Sequence, residues 1–158
     1  MTSPGKHVSY WISSSPTTDY PAQSEDLNVD VAVLGAGIAG ITAAYLLKQA
    51  GMRVALVEAH RAVNGVTGRT TAKLTSCHSL IYKSLIDGYG KERARLYGHS
   101  NQAAIEMVAS LVKRHGIECE FERRPFYLYA EREQDRDRLE QEAHAAQSVG
   151  LPVTFVEQ

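Results

Sequence analysis

The sequence has few cysteines and no excess of one charge. Its two cysteines, Cys77 and Cys119, lie far apart and form neither a CxxC pair nor a Cys/His set at metal-ligand spacing. We therefore expect reduced thiols, no bound metal and a reducing compartment. The 17 Lys and Arg residues nearly balance the 18 Asp and Glu residues, so no overall basic field attracts nucleic acid or an anionic membrane. We expect binding to neither.

Long apolar runs are also missing. The N-terminus has no basic segment followed by an apolar run, and no stretch of the sequence is long enough to span a bilayer. A cytoplasmic location is therefore expected. The composition, with 44% hydrophobic and 22% charged residues in a chain of 158, is typical of a globular protein of about one domain.

Residues 1–28 are rich in Ser, Thr and Pro, which predicts a surface arm without regular elements. Its one apolar cluster is Tyr10, Trp11 and Ile12. We expect this cluster to pin the arm onto the domain by packing, while a ligand contact by Trp11 remains an alternative.

The residues that follow predict a strand, a helix and a second strand. Val29–Leu34 is a β-branched run typical of a buried parallel strand. Residues 38–50 show helical spacing, Gly51 suits a left-handed helix stop, and Arg53–Val57 predicts the second strand. The predicted buried face of the helix consists of Ile38, Ile41, Ala44 and Tyr45.

A GxGxxG motif joins the first strand to the helix. Gly35 permits the tight turn, Gly37 leaves room for a pyrophosphate to approach the backbone, and Gly40 lets the helix pack closely on the strand. The first helical residues, Ile38 and Ala39, belong to a helix N-terminus whose N–H groups and dipole favour phosphate. The motif alone is weak, but the strand–helix–strand context makes it specific.

Glu58 ends the second strand, with Ala59 after it, about 20 residues beyond the glycines. A carboxylate there can accept hydrogen bonds from an adenosine ribose and would repel a 2′-phosphate, which disfavours NADP. The alternative is that the glycines serve only turns and packing. FAD and NAD both contain ADP, so the motif does not choose between them.

Residues 59–79 are rich in Gly, Thr and small residues and lack periodicity. An NAD domain would continue here with another helix and strand, so this segment favours FAD over NAD. Its backbone amides and hydroxyls could approach a cofactor closely, and Arg61 and Arg69 could meet phosphate charge. The alternative is a solvated loop.

The remainder predicts helices and short strands. We expect helices at Leu80–Ile86, at Lys91–His115 with Gly116 as its stop, and at 131–148 with Gly150 as its stop. Leu96, Ala103, Met107 and Leu111 form the predicted buried face of the long helix, and the mixed charges of 131–142 predict a solvated face. Strands are predicted at Ile117–Glu122, which would place Cys119 in the core, at Phe126–Ala130 and at Val153–Val156.

Three segments, Asp30–Gly51, Val54–Glu58 and Gly65–Thr75 with His78, resemble the N-terminal part of FAD-dependent amine and amino-acid oxidoreductases of the D-amino-acid-oxidase type. The Thr-Gly-Arg-Thr-Thr-Ala-Lys stretch is most similar to the subgroup with a C-terminal Rieske domain. The resemblance implies that Gly35, Gly37 and Gly40 hold the pyrophosphate of FAD and Glu58 the ribose. It also implies that a loop runs beneath the pyrophosphate toward the flavin, consisting of Thr67, Gly68, Arg69, Thr70, Thr71, Ala72, Lys73 and Leu74.

The fold class expected is α/β: a Rossmann-like FAD-binding βαβ unit followed by the start of an α+β substrate domain, truncated relative to the family. The domains expected are an arm (1–28), the FAD unit with its loop (29–78) and an incomplete substrate domain (79–158). No Rieske Cys/His pairs occur, and no catalytic residue carries over from the resemblance.

The resemblance implies oxidation of an amine or amino acid by hydride transfer to flavin in the complete enzyme, with this chain alone inactive. Two alternatives remain open from the sequence. One is a non-catalytic nucleotide-binding or interaction module, which could form a homodimer to cover apolar surface. The other is an NAD-dependent oxidoreductase.

Overall fold

The computed structural model of the chain describes residues 7–157. The chain divides into two compact units between Lys73 and Leu74. The first six residues of the predicted arm lie outside the described residues. The domain boundaries expected from the sequence stay a prediction.

The arm of the first unit contains a short helix, α1, at Tyr10–Ser14. The expectation that no regular element forms in the arm is therefore wrong here. The serine run lies at the end of the helix instead of breaking it, and the Ser13 hydroxyl donates to the Tyr10 carbonyl over 2.9 Å. The predicted packing of the arm is seen at Ile12, whose Cγ1 lies 3.2 Å from the position of a Cβ on Gly68, and the Trp11 indole adds a hydrogen bond to the Thr70 carbonyl oxygen. Tyr10, the third residue of the predicted cluster, is 67% exposed.

The first unit is built on the predicted strand–helix–strand order. Strand β1, Val31–Leu34, pairs in parallel with β2, Val54–Val57, in the register Val31 to Val54 through Leu34 to Val57. Helix α2, Ile38–Gln49, connects them, and Gly51 follows it at φ +86°, as expected of a left-handed stop. This is the α/β arrangement that the sequence predicts.

Burial in this unit is lower than the sequence predicts. Leu34 on β1 is 81% exposed, and Ile38 and Ile41 on α2 are exposed at 61% and 37%. The predictions of a fully buried strand and a buried Ile38–Ile41 face are therefore wrong for these residues. A two-stranded sheet with one helix has few surfaces that can cover each other, so much of its apolar surface meets solvent.

The second unit is helical within the described residues. Helix α3 spans Tyr82–Tyr89, α4 spans Lys91–His115 and α5 spans Arg136–Ser148. Gly116 and Gly150 follow α4 and α5 at φ +57° and +89°, as predicted for helix stops. The core consists of Tyr82, Ala94, Ala145, Ala146, Val149 and Leu151.

The buried side of α4 differs from the predicted one. Ala94 and Gly98 are buried, while Leu96 is 55% exposed and Ala103 is exposed. Close packing explains why small residues occupy the buried positions, since a Cβ built on Gly98 would lie 3.2 Å from a Leu151 methyl group and 3.3 Å from the Tyr82 ring. The small residues Ala94 and Gly98 are therefore buried against the core, while Leu96 faces solvent and Met107 and Leu111 of the predicted face are half-buried.

The three predicted strands after α4 are wrong. Ile117–Glu122, Phe126–Ala130 and Val153–Val156 are irregular, and none of them pairs with another strand of the described chain. A strand needs a partner to satisfy its backbone groups, whatever its local sequence favours. Cys119, predicted to be in the core, is exposed.

The prediction that the charges of 131–142 form a solvated face is wrong for Glu142, which lies on α5. Its side chain is buried, with the residue only 6% exposed. Oε1 accepts hydrogen bonds from the backbone N–H groups of Ile81 and Tyr82 over 2.8 and 2.6 Å, and Oε2 accepts one from Lys83 over 2.9 Å. The carboxylate thus caps the N-terminus of α3, where negative charge is favoured.

Across residues 7–157, no helix has both the length and the apolar character that crossing a membrane requires.

Candidate nucleotide-binding site

The glycine turn between β1 and α2 has the geometry that a close backbone approach requires. Gly35 adopts φ +98°, a conformation that favours glycine, and Gly37 precedes the first residue of α2 in an extended conformation. A Cβ on Gly40 would lie 1.8 Å from the Gly35 carbonyl oxygen, so only glycine fits at that position. A Cβ on Gly37 would meet only the Thr67 hydroxyl, at 3.4 Å. The turn is therefore open beside Gly37.

The turn presents backbone N–H groups at the N-terminus of α2. Two of them have side-chain acceptors: Ala36 donates to Glu58 Oε2 over 2.8 Å, and Ile38 donates to Thr67 Oγ1 over 3.1 Å. Within residues 7–157, the N–H groups of Ala39 and Gly40 have no acceptor. These free donors lie at the positive end of the helix dipole, where an anion is stabilised.

Glu58 lies directly after β2, next to the glycine turn. Its second oxygen, Oε1, accepts the N–H of His60 over 3.1 Å. Hydrogen bonds from Ala36 and then His60 lower the pKa of the Glu58 carboxyl, so the group is ionised at neutral pH. A carboxylate has about four lone-pair directions, which leaves acceptor capacity for hydroxyl groups such as those of a ribose.

The segment predicted to run along the cofactor forms a compact turn at Thr67–Arg69. Gly68 is buried in it, and a Cβ there would lie 2.3 Å from the Val63 carbonyl oxygen. Arg69 donates from Nη1 to the Gly65 carbonyl over 3.1 Å and also to the Asn64 carbonyl. The guanidinium therefore holds its own loop together through these two bonds.

The other predicted site residues are accessible. Ala59, Arg61, Thr70, Thr71 and Ala72 are exposed in the first unit, and Leu74, at the start of the second unit, is exposed as well. Ala72 has φ +58°. Their assignment to a cofactor stays a prediction.

Two contacts of this site were not foreseen in the sequence. They are the Thr67 hydroxyl on the Ile38 N–H and the Trp11 indole on the Thr70 carbonyl, which join residues 29 and 59 positions apart. A Thr in a glycine-rich loop is too common to indicate such a pairing, so no local signal identifies it.

The second unit brings His78 and Tyr97 together, with 3.0 Å between His78 Nδ1 and the Tyr97 hydroxyl. Burial raises the pKa of the neighbouring Cys77 thiol, which lowers the fraction of reactive thiolate. No group of His, Cys, Asp and Glu in the described part of the chain could hold a metal ion. Cys77 is therefore a poor nucleophile, and the described residues of this unit show no metal site.

The first unit fits the ADP half of a dinucleotide. It combines free N–H groups at a helix N-terminus, a turn with no side chain at Gly37, and an ionised carboxylate at the end of the neighbouring strand. A pyrophosphate needs the first two features, and a ribose needs the third.

Comparison with known proteins identifies the family. The sequence profile of the family described as FAD dependent oxidoreductase matches residues 30–158. A Bacillus subtilis (strain 168) protein named as a Rieske 2Fe-2S iron-sulfur protein, YhfW, is 40% identical over 142 residues, covering 90% of this chain and 28% of the relative. No solved structure matches significantly.

Two further relatives are oxidoreductases by name. Gamma-glutamylputrescine oxidoreductase of Escherichia coli (strain K12) is 29% identical over 112 residues, covering 71% of this chain and 26% of the relative. A Haemophilus influenzae (strain ATCC 51907 / DSM 11121 / KW20 / Rd) protein named as the oxidoreductase OrdL is 23% identical over 137 residues, covering 85% and 32%. The chain thus spans between a quarter and a third of the length of these relatives.

The family match decides between the two cofactors that the glycine motif left open, in favour of FAD. The motif, the loop after Glu58 and the family profile agree, and the chain belongs to the FAD-dependent oxidoreductases of the D-amino-acid-oxidase type.

Proposed function

We propose that the chain is the FAD-binding portion of an enzyme that oxidises an amine or amino acid by hydride transfer to flavin. The observation that supports this most is the β1–α2 turn, where the unpaired N–H groups of Ala39 and Gly40 lie near the ionised Glu58. The substrate class rests on the Escherichia coli relative, whose name specifies gamma-glutamylputrescine, a derivative of a diamine.

The residues of the chain would bind and orient the cofactor. The α2 N-terminus would hold the pyrophosphate through backbone N–H groups, with Gly37 permitting its approach. Glu58 would accept hydrogen bonds from the ribose hydroxyls through its remaining lone pairs. When bound, FAD supplies at N5 the acceptor for a hydride from the substrate carbon beside nitrogen.

We place residues 79–158 at the start of the substrate domain. The relatives extend far beyond the matched length, because this chain covers only 28% and 26% of the first two. Turnover is therefore assigned to the full-length protein, with the substrate contacts supplied by other segments.

The cofactor assignment is tested by incubating the purified chain with FAD or with NAD and then removing free ligand. Flavin absorbance should remain with the protein, and NAD should not. Glu58→Ala and Gly37→Val should weaken FAD binding, whereas Gly65→Ala is the matched control because nothing lies within 4 Å of its added Cβ. Absence of flavin uptake at high FAD concentration would refute the proposal, and unchanged binding by the first two variants would refute the assigned site.

The substrate class is tested on the full-length protein loaded with FAD. Anaerobic mixing with primary amines or amino acids should bleach the absorbance of the oxidised flavin, while 2-hydroxy acids of matched size should not. Bleaching by the hydroxy acids alone would contradict the amine assignment.

A further inference from the structure

The short helix α1 lies directly on the turn that follows the glycine motif. The Trp11 Nε1–H group donates to the Thr70 carbonyl oxygen over 2.7 Å. One residue further along α1, Ile12 packs against Gly68: a Cβ on this glycine would lie 3.2 Å from Ile12 Cγ1 and 3.3 Å from Cδ1. A polar and an apolar contact thus hold the same four-residue turn, Thr67–Thr70.

The same turn caps helix α2. The Thr67 hydroxyl accepts a hydrogen bond from the N–H of Ile38 over 3.1 Å. It also lies 3.4 Å from the position that a Cβ on Gly37 would occupy. A shift of the turn would therefore change the N-terminus of α2, which is the surface assigned to the pyrophosphate. The contacts form a continuous path from Trp11 through Thr70 and Thr67 to Ile38.

The arm that carries α1 lies outside the family profile, which begins at residue 30. The N–H donors of the β1–α2 turn and the Glu58 carboxylate also belong to residues outside the arm. A contribution from α1 to cofactor binding would therefore be an addition of this chain to what the family profile describes.

We propose that Trp11 and Ile12 are positioning residues that tighten FAD binding by holding the Thr67–Thr70 turn against the N-terminus of α2. This rests on the proposed FAD-binding function. Both side chains act through the Thr67–Thr70 turn, so neither has to touch the cofactor. Within the turn, Thr67 is the residue that contacts the N-terminus of α2.

The first test measures the dissociation constant of FAD for two variants of the chain. Trp11→Phe keeps an aromatic ring but removes the N–H donor, and Ile12→Ala removes the contact with Gly68. Each should weaken FAD binding roughly fivefold, the effect expected from one hydrogen bond or one small apolar contact. Tyr20→Phe is the matched control, because Tyr20 lies in the same arm and is 79% exposed.

A double-mutant cycle separates positioning from a general loss of stability. Thr67→Val removes the hydroxyl that caps α2, and Thr67→Ser keeps it. Trp11→Phe should weaken FAD binding in the Thr67→Ser background but add little in the Thr67→Val background. Equal effects in both backgrounds would show that Trp11 does not act through Thr67, and would overturn the proposal.

Trp11 also reports on the coupling directly, because it is the chain's only tryptophan. FAD binding should change its emission with the same dissociation constant that flavin absorbance gives. In the chain without FAD, amide hydrogen exchange of Gly68–Thr70 should be faster in Trp11→Phe than in Tyr20→Phe. Faster exchange with an unchanged dissociation constant would overturn the proposal.

The outcomes distinguish this inference from the proposed function. If the unchanged chain binds FAD and the Trp11 and Ile12 variants bind it equally well, the positioning role is wrong and the FAD-binding function stands. If the unchanged chain binds no FAD, the proposed function itself is wrong.

Discussion

The buried Glu142 carboxylate connects α5 to the N-terminus of α3. Its two oxygens accept three backbone N–H groups at the start of α3 while the residue is almost fully buried. Hydrogen bonds to a charged group are stronger than neutral ones, and N–H groups left buried without a partner are costly. The charge is therefore part of the core of the second unit.

Removal of this carboxylate should strongly destabilise the second unit. We expect Glu142→Ala to lower the free energy of unfolding by about 3 kcal/mol and Glu142→Gln by less, because the amide keeps one acceptor. Urea unfolding followed by circular dichroism measures both. Gln141→Ala, at the exposed neighbouring position on α5, is the control. Equal stability of the Glu142→Ala and Gln141→Ala chains would contradict the capping role.

Glu58 should make the stability of the first unit depend on pH. Its pKa is lowered in the folded chain by the N–H groups of Ala36 and His60, so the unfolded chain takes up the proton at higher pH than the folded one. The stabilisation is therefore present above the ordinary Glu pKa, about 4.3, and is lost as the pH falls through the lowered value.

The matched comparison is Glu58→Gln, which does not titrate. Unfolding in urea, followed by Trp11 emission, should show a difference between the two chains at pH 7 that narrows below about pH 4. A difference that stays constant from pH 7 to pH 3 would show that ionisation of Glu58 contributes nothing.

At the scale of elements, the β1–α2 turn depends on one glycine more than on the others. Gly40→Ala would place a methyl group 1.8 Å from the Gly35 carbonyl oxygen, a backbone atom that cannot rotate away. We expect this variant to lose the cooperative unfolding transition of the first unit, seen by Trp11 emission. Gly65→Ala, whose Cβ meets nothing within 4 Å, should unfold like the unchanged chain. A normal transition in Gly40→Ala would contradict the close packing.

Elements with local start and stop signals could be predicted from the sequence. Helix α4 runs from Lys91 to His115 as expected, since helical spacing and the left-handed Gly116 are both local features. The strands predicted after it failed because pairing depends on residues far away in the chain. Residues 117–122 have a strand-like composition but no partner strand in the described chain.

The same contrast between local patterns and long-range contacts applies to the candidate site. The glycine motif and Glu58 are a local pattern with a known spacing, so their arrangement could be anticipated. The capping of Ile38 by Thr67 and the anchoring of Thr70 by Trp11 depend on the path of an irregular loop. No periodicity in the sequence encodes that path, which is why these contacts needed the structure.

At the scale of the whole molecule, the two units differ in how much core they have. Within the described residues, Ala36 is the buried apolar residue of the first unit. The buried apolar residues of the second unit are Tyr82, Ala94, Ala143, Ala145, Ala146, Val149 and Leu151. Burial of apolar surface is the main favourable contribution to folding, so the first unit should be the less stable one.

We therefore expect two unfolding transitions, with the first unit melting at the lower temperature. FAD should raise that transition alone, since binding at 100 times the dissociation constant stabilises a folded state by about 2.7 kcal/mol. Scanning calorimetry with and without FAD measures both transitions, and Trp11 emission identifies the one that belongs to the first unit. A single transition that FAD shifts as a whole would contradict independent units.

The cap on α3 also has a consequence for the order of folding. Helix α3 has 8 residues, which is too short to be stable alone in water. Its cap comes from Glu142, 60 positions away from Tyr82, so the chain must close a long loop before the first turn of α3 is completed. We expect α3 and α5 to form together and late, so that loss of the Glu142 carboxylate speeds unfolding more than it slows folding.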